Sequence, residues 1–165
     1  MRSGRKAART KHYELNEFPP FSYRDDVNVP DFPDNRPLLV FDGVCVLCTG
    51  FAHFILSHDR KKQFLLTTAQ SKLGQALFRH YRLDPVDFET NLLIMEGRAF
   101  GKLIGFAEIM KQLGGPWRLF GALRYIPTSL GDWIYDRIAQ NRYQLFGRHQ
   151  NCMVPEPEWR GRIIT

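Results

Sequence analysis

Two cysteines three positions apart, Cys45 and Cys48, are residues of this chain whose type and spacing could do redox chemistry. They follow a short apolar run, Leu38 to Phe41, which predicts a buried strand, and Asp42-Gly43, which predicts a turn. A helix is predicted to begin at the cysteines. Residues i and i+3 of a helix share one face, so the two sulfurs could form a disulfide after a small adjustment. The spacing therefore predicts a dithiol site at a strand-to-helix junction.

The position of Cys45 at the start of the predicted helix favours it as the attacking thiol. The free N–H groups and the positive end of the helix dipole stabilise an anion there, and the thiolate is the nucleophile in disulfide exchange. Cys48 is then the resolving thiol. The carboxylate of Asp42, three residues before Cys45, opposes formation of the thiolate, so we expect a Cys45 thiol of ordinary acidity.

Two interpretations of Asp42 are open. Its carboxylate could take a proton from Cys48 during exchange, as a general base. It could instead be a turn residue whose side chain bonds its own backbone ahead of Gly43. We include Asp42 with Cys45 and Cys48 among the candidate catalytic residues.

The composition indicates one folded domain without a nucleic-acid partner. A chain of 165 residues with 44% hydrophobic content can form one packed core but not two full domains. The formal net charge of +6 comes almost entirely from the first twelve positions, and the rest of the chain has 18 basic against 17 acidic side chains. The basic arm is expected to be disordered and solvated. Its charges are Arg2, Arg5, Lys6, Arg9 and Lys11.

The sequence also favours a reducing, cytoplasmic location. It has no run of about 18 apolar residues and no apolar secretory core near its start. Three cysteines do not make a disulfide framework, and in a reducing compartment a CxxC pair is typically catalytic or metal-binding. The apolar stripe over residues 106–126 is typical of core packing, so contact with a membrane surface is not expected.

The elements that must position the dithiol follow the order βαβαββα. With a CxxC at the end of the first strand, this order is the plan of a thioredoxin-like α/β domain. After the first strand and helix, the predicted elements are a strand at Phe64–Thr68, a helix through Leu73, Leu77 and Tyr81, a strand at Leu92–Met95, a turn at 96–98, a strand from Ala99 and a helix from Ile104 to Leu113.

The flanking segments divide the chain into three parts. Residues 1–36 are a basic and then proline-rich extension, predicted to be largely irregular because proline disrupts helices. Residues 37–154 are the thioredoxin-like domain, and residues 155–165 are a C-terminal tail. The domain is predicted to end in a helical extension that packs on the sheet, over Ser129 to Phe146, with Ser129 as cap and Trp133, Ile134, Ile138 and Tyr143 toward the core.

Three blocks of the sequence resemble the DCC family of thiol-disulfide oxidoreductases. They are Phe41 to Cys48, Leu113 to Arg118, and Tyr135 to Tyr143 with Phe146-Gly147 and Cys152. The resemblance covers roughly residues 37–154, and it implies a thioredoxin-like fold and protein-disulfide reductase activity. The aspartate and two cysteines that name the family fall on Asp42, Cys45 and Cys48.

Near the dithiol, the chain departs from the usual DCC family sequence at one place and from the thioredoxin fold at another. Family members tend to carry a Ser-Asp-Ala-like start to the helix before Leu-Gly-Gly, whereas this chain has Leu103-Ile104-Gly105. Thioredoxin folds also place a cis-proline before the third strand, where this chain has Glu89-Thr90-Asn91. The edge that binds the client is therefore expected to differ from that of thioredoxin.

Other readings of the same residues are open. Cys45, Cys48, His53 and Cys152 could form a tetrahedral zinc site, although the spacing is loose. Cys152 could be a third redox thiol or a small hydrophobe packed against the domain, and His53 a helix-surface or core histidine. The family-like residues Trp117, Arg118, Asn141, Arg142 and Tyr143 are interpreted as packing residues.

The leading hypothesis is an enzyme without a cofactor. The Cys45 thiolate attacks the disulfide of a protein or small-molecule client, and Cys48 resolves the mixed disulfide. The alternative is a redox-inert module of the same fold that docks on a larger assembly through residues 1–36.

Overall fold

The computed structural model describes residues 15–88, 90–150 and 156–165. The predicted basic arm and Cys152 lie outside these residues, so neither prediction is addressed by the structure. The described part of residues 1–36 contains two short 3₁₀ turns, Leu15–Glu17 and Ser22–Asp25, and is otherwise irregular.

A mixed sheet of five strands forms the centre of the fold. Its order is β4-β3-β1-β2-β5, with β1 parallel to β2, β2 parallel to β5, and β3 antiparallel to both β1 and β4. The first four strands and their order along the chain confirm the predicted thioredoxin-like plan. The strands are β1 (Leu38–Phe41), β2 (Leu65–Thr68), β3 (Leu92–Met95), β4 (Arg98–Gly101) and β5 (Ile163–Ile164).

The described residues also form four α-helices. They are α1 (Val46–His58), α2 (Lys72–His80), α3 (Lys102–Leu113) and α4 (Thr128–Phe146). Two longer 3₁₀ segments, Gly115–Tyr125 and Pro157–Arg162, precede α4 and β5. None of the helices in the described part of the chain is long and apolar enough to cross a membrane.

The core lies on both faces of the sheet because alternate residues of a strand point to opposite sides. Leu38 and Val40 of β1 pack with α2 and with the irregular N-terminal segment. Leu39 and Phe41 pack on the other face, with Ile55 of α1 and Ile109 of α3. All four residues of β1 are buried, which explains why this central strand is a continuous apolar run. The dithiol lies at the end of this strand.

The prediction that Trp133, Ile134 and Ile138 of α4 point toward the core is wrong, because they are 58%, 40% and 45% exposed. Tyr143, the fourth residue of that prediction, does reach inward, and its hydroxyl donates to the buried Asp42 carboxylate.

The main contacts of α4 are with α1 and α3. The buried residues of α4 are Gly131, Ala139 and Arg142. A Cβ added to Gly131 would lie 2.7 Å from Leu103 Cδ2, so glycine permits the close approach to α3. The helix also begins at Thr128, and Ser129 does not cap it.

Residues near the C-terminus belong to the sheet, whereas residues 155–165 are predicted to be a tail. Ile163 and Ile164 form β5 beside β2, and the neighbouring Arg162 is nearly buried. The Arg162 guanidinium lies 2.5 Å from Asp59 Oδ2 and donates to the Phe64 carbonyl at 3.2 Å. These bonds attach the C-terminal segment to the end of α1 and the start of β2.

Candidate active site

Cys45 caps the N-terminus of α1. The Cys45 backbone is extended, and the Cys48 N–H donates to the Cys45 sulfur at 3.3 Å. The sulfur therefore occupies the position in which an N-cap side chain accepts a free helix N–H group. Both cysteines are thiols, and the i, i+3 spacing brings them together as the sequence predicts.

This geometry makes the two thiols very different in acidity. Hydrogen bonding from the Cys48 thiol is the largest influence on Cys45, and with the Cys48 N–H and the positive charge of Arg142 it outweighs burial and lowers the pKa of Cys45 to about 6. The pKa of Cys48 is strongly raised, because its thiol donates to Cys45 and is desolvated. Cys45 is thus more acidic than the expected ordinary thiol. Asp42 does oppose the thiolate, as expected, but its effect is small.

The chain after α4 folds back over Cys45. The Val46 N–H donates to the Gly147 carbonyl at 3.4 Å, the His149 N–H donates to the Val44 carbonyl at 2.7 Å, and Cys45 pairs with Arg148 as an antiparallel bridge. We call residues 147–149 the covering segment. Cys45 is completely buried, whereas Cys48 is partly exposed.

Asp42 is buried and each of its carboxylate oxygens accepts two hydrogen bonds. Oδ1 accepts from the Val44 N–H at 3.1 Å and from Gln70 Nε2 at 2.7 Å. Oδ2 accepts from Arg142 Nη2 at 3.3 Å and from the Tyr143 hydroxyl. The bond to Val44 confirms that Asp42 is a turn residue. A general-base role for Asp42 stays a prediction.

Arg142 joins α4 to Asp42, in the turn before the dithiol. Its guanidinium is almost fully buried, 3.3 Å from Asp42 Oδ2, and it donates to the carbonyls of Ala139 at 3.1 Å and Asp87 at 2.6 Å. Its Nε–H is buried without a hydrogen-bond partner among the described residues. The positive charge favours the Cys45 thiolate, so Arg142 belongs to the site, together with Tyr143.

An apolar cavity opens beside Cys48. It has a volume of about 410 Å³ and lies between α1, α3, α4 and the segment before β3. Thr90 and Asn91, which stand where thioredoxin has its cis-proline, line it, and Tyr135 of α4 holds Asn91 through the Asn91 N–H and Oδ1 at 3.2 and 3.1 Å. Burial raises the pKa of Tyr135 to about 12, so this hydroxyl is neutral at physiological pH.

Of the proposed zinc ligands in the described part of the chain, Cys45 and Cys48 lie together, but His53 does not join them. No group of three or more histidine, cysteine or acidic side chains there is placed to hold a metal. His53 instead packs edge-on against Trp159, with ring centroids 4.8 Å apart. Cys152 lies outside the described residues.

Sequence reasoning missed Arg142 and Tyr143 as parts of the site. Both were interpreted as packing residues, although they belong to a block that resembles the DCC family. Of the other residues so interpreted, Trp117 does pack, against the rings of Phe54 and His58. The periodicity of a helix does not reveal which distant residue an arginine contacts. The signal that could have indicated a role for Arg142 was its place in the block that resembles the DCC family.

The acidity of Cys45 can be measured directly. We expect the thiolate absorbance of the reduced protein to rise with a midpoint near pH 6, and the midpoint to move upward in Cys48→Ala because the largest stabilising hydrogen bond is lost. The folded pKa is lower than that of the unfolded chain, so the thiolate stabilises the fold above pH 9 and this contribution is lost as the pH falls through about 6. A midpoint near 9 would contradict the N-cap geometry.

Comparison with known proteins identifies a family and two relatives of this chain. A family model described as DCC1-like thiol-disulfide oxidoreductase matches residues 39–148. The chain is 37% identical over 130 residues to the uncharacterized protein YuxK of Bacillus subtilis, covering 79% of this chain and 94% of YuxK. It is 34% identical over 120 residues to a chloroplastic DCC family protein of Arabidopsis thaliana, covering 72% of this chain and 70% of the plant protein. No solved structure matches.

The matched residues include the dithiol, Asp42, Arg142 and the start of the covering segment. The mixed sheet and the position of the cysteines after β1 are consistent with the thioredoxin-like fold. The chain therefore belongs to the DCC1-like thiol-disulfide oxidoreductase family.

Proposed function

We propose that this protein is a thiol-disulfide oxidoreductase that uses Cys45 and Cys48 as its redox pair. The observation that carries the proposal is the Cys45 sulfur at the N-cap of α1, where it accepts the Cys48 N–H and has a pKa of about 6. A thiol of this acidity is largely a thiolate at neutral pH, and the thiolate is the attacking species.

In the proposed cycle the Cys45 thiolate attacks one sulfur of a client disulfide. A Cys45–client mixed disulfide forms, and the other client sulfur leaves as a thiolate that takes a proton from water. The Cys48 thiol then loses its proton and attacks the Cys45 sulfur, releasing the second client thiol. The client gains two electrons and two protons, and the protein is left with a Cys45–Cys48 disulfide that an external dithiol must reduce.

Asp42 acts in this proposal as a positioning residue. Each of its oxygens already accepts two hydrogen bonds, which favours a fixed carboxylate that orients Val44 and Arg142 over one that collects a proton from Cys48. The same proposal places the protein in a reducing compartment such as the cytoplasm, where the pair would return to the dithiol after each turnover.

A redox titration tests the proposal. The full chain carrying Cys152→Ala, which leaves two cysteines, is equilibrated in dithiothreitol and in glutathione buffers of graded potential. Free thiols are alkylated and counted by intact mass. We expect both thiols to be lost and regained together in one reversible two-electron step. Thiols that never pair, or that each form only a glutathione adduct, would contradict the proposed function.

A further inference from the structure

We infer that the cavity beside Cys48 binds the apolar body of a small, uncharged disulfide, and that such a molecule is the client of this dithiol. The inference rests on the proposed function and assigns it a substrate class. It follows from the size, lining and charge of the cavity and from its position beside Cys48.

The cavity has the size and lining of a small-molecule site. Its volume of about 410 Å³ lies within the range of about 300–1,000 Å³ that is typical of such sites. Aromatic and aliphatic side chains from three helices form its walls. The walls include Leu47 and Phe51 of α1, Leu103 and Phe106 of α3, and Ile138 and Phe146 of α4.

The charge of the cavity selects against ions. Among the described residues that line it, only Asp42 and Arg142 are charged, and they form a buried ion pair with each other. An added carboxylate would enter an apolar space without a free counter-charge, which is costly. The lining therefore favours a neutral ligand.

The cavity is the route by which a small molecule can reach the pair. The covering segment bonds to both sides of Cys45, through Val44 and Val46, and Cys45 has no exposed surface. The cavity reaches the pair at Cys48, whose thiol is hydrogen-bonded to the Cys45 sulfur. A disulfide inside the cavity therefore lies next to Cys48, one hydrogen bond away from the Cys45 sulfur. The exchange is the balanced cycle given above, with the small disulfide leaving as two thiols.

Two matched probes test the preference for a neutral body. 2,2′-Dithiodipyridine is uncharged and carries ring nitrogens, and 6,6′-dithiodinicotinic acid adds one carboxylate to each ring. Single-turnover rate constants are measured with the reduced Cys152→Ala chain, and each is divided by the rate constant of N-acetylcysteine to remove the intrinsic reactivity of the probe. We expect the normalised rate to be about tenfold or more higher for the uncharged probe.

Ile138 and Ile134 offer a matched pair of variants. They lie one turn apart on α4 and are 45% and 40% exposed, but only Ile138 lines the cavity. Ile138→Glu should reduce the rate with 2,2′-dithiodipyridine about tenfold, whereas Ile134→Glu should leave it unchanged. Ile138→Lys should shift the preference toward the dicarboxylate probe. Because both positions are partly exposed, the variants should fold, which circular dichroism checks.

Several outcomes would overturn the inference: equal normalised rates for the two probes, equal effects of the two glutamate variants, or faster reduction of the disulfides of insulin than of 2,2′-dithiodipyridine. The redox titration of the same preparations separates the two proposals. If Cys45 and Cys48 form a reversible disulfide but the protein does not discriminate between the two probes, only the substrate class is overturned. If this disulfide does not form, the proposed function is overturned as well.

Discussion

Replacing Cys48 by serine is expected to trap Cys45 in a mixed disulfide with its client and to reduce multiple-turnover disulfide reduction to background. The Cys45 sulfur keeps the N–H of residue 48, which is a backbone group, so it should still attack. Without the second sulfur, however, the mixed disulfide cannot be resolved within the chain. Intact mass spectrometry after exposure to 2,2′-dithiodipyridine, in a Cys152→Ala background, measures the adduct.

The matched control is Cys45→Ser. This variant removes the acidic thiol and leaves Cys48, whose pKa is raised in the native pair. It should form no adduct at a comparable rate. If Cys45→Ser traps the probe and Cys48→Ser does not, the attack belongs to the cysteine that lines the cavity, and the proposed roles of the two thiols are reversed.

Replacing Arg142 by methionine should reduce the free energy of unfolding by about 3–5 kcal/mol. Methionine keeps much of the length of the side chain but leaves the Asp42 carboxylate buried without its counter-charge, which lies 3.3 Å away in the native pair. The loss of the guanidinium should also raise the pKa of Cys45, because its positive charge favours the thiolate. Urea denaturation measures the first effect and thiolate absorbance the second.

Two further variants distinguish the effect of breaking this ion pair on stability from the effect of a general loss of packing. Asp42→Asn combined with Arg142→Met removes both charges and should recover much of the stability lost in Arg142→Met. Arg24→Met removes an arginine from the surface ion pair with Asp34 and should leave the stability nearly unchanged. A single Arg142→Met that is as stable as Arg24→Met would show that the buried pair does not stabilise the fold.

The central part of the fold could be predicted because its signals are local. The boundaries of β1 and β3 are those of two uninterrupted apolar runs, and the start of α1 follows directly from the turn after β1. β5 could not be predicted, because two isoleucines near the C-terminus form a strand only by pairing with β2. The stability of such a short strand depends on pairing with β2, and the local sequence does not indicate that β2 is its neighbour.

The candidate site was predictable in the part that lies on one stretch of chain. Cys45, Cys48 and Asp42 are close in sequence, and their spacing is sufficient to indicate a dithiol. Arg142 is one hundred positions from Asp42, and only the packing of α4 on α1 and α3 brings them together. The low pKa of Cys45 is not predictable from the sequence for a related reason: the hydrogen bond from the Cys48 thiol, which is the largest influence, and the charge of Arg142 both depend on the folded geometry.

The covering segment and Arg142 also determine when the site can exist during synthesis. The ribosome releases the chain from its N-terminus, so the residues of β1 to β4 and of α1 to α3, which include both cysteines, are all made before α4. A nascent chain that ends before residue 142 thus presents Cys45 without its arginine and without its cover. In that interval Cys45 is uncovered but lacks the contacts that lower its pKa, and the folded site is complete only after residues 142–149 are in place.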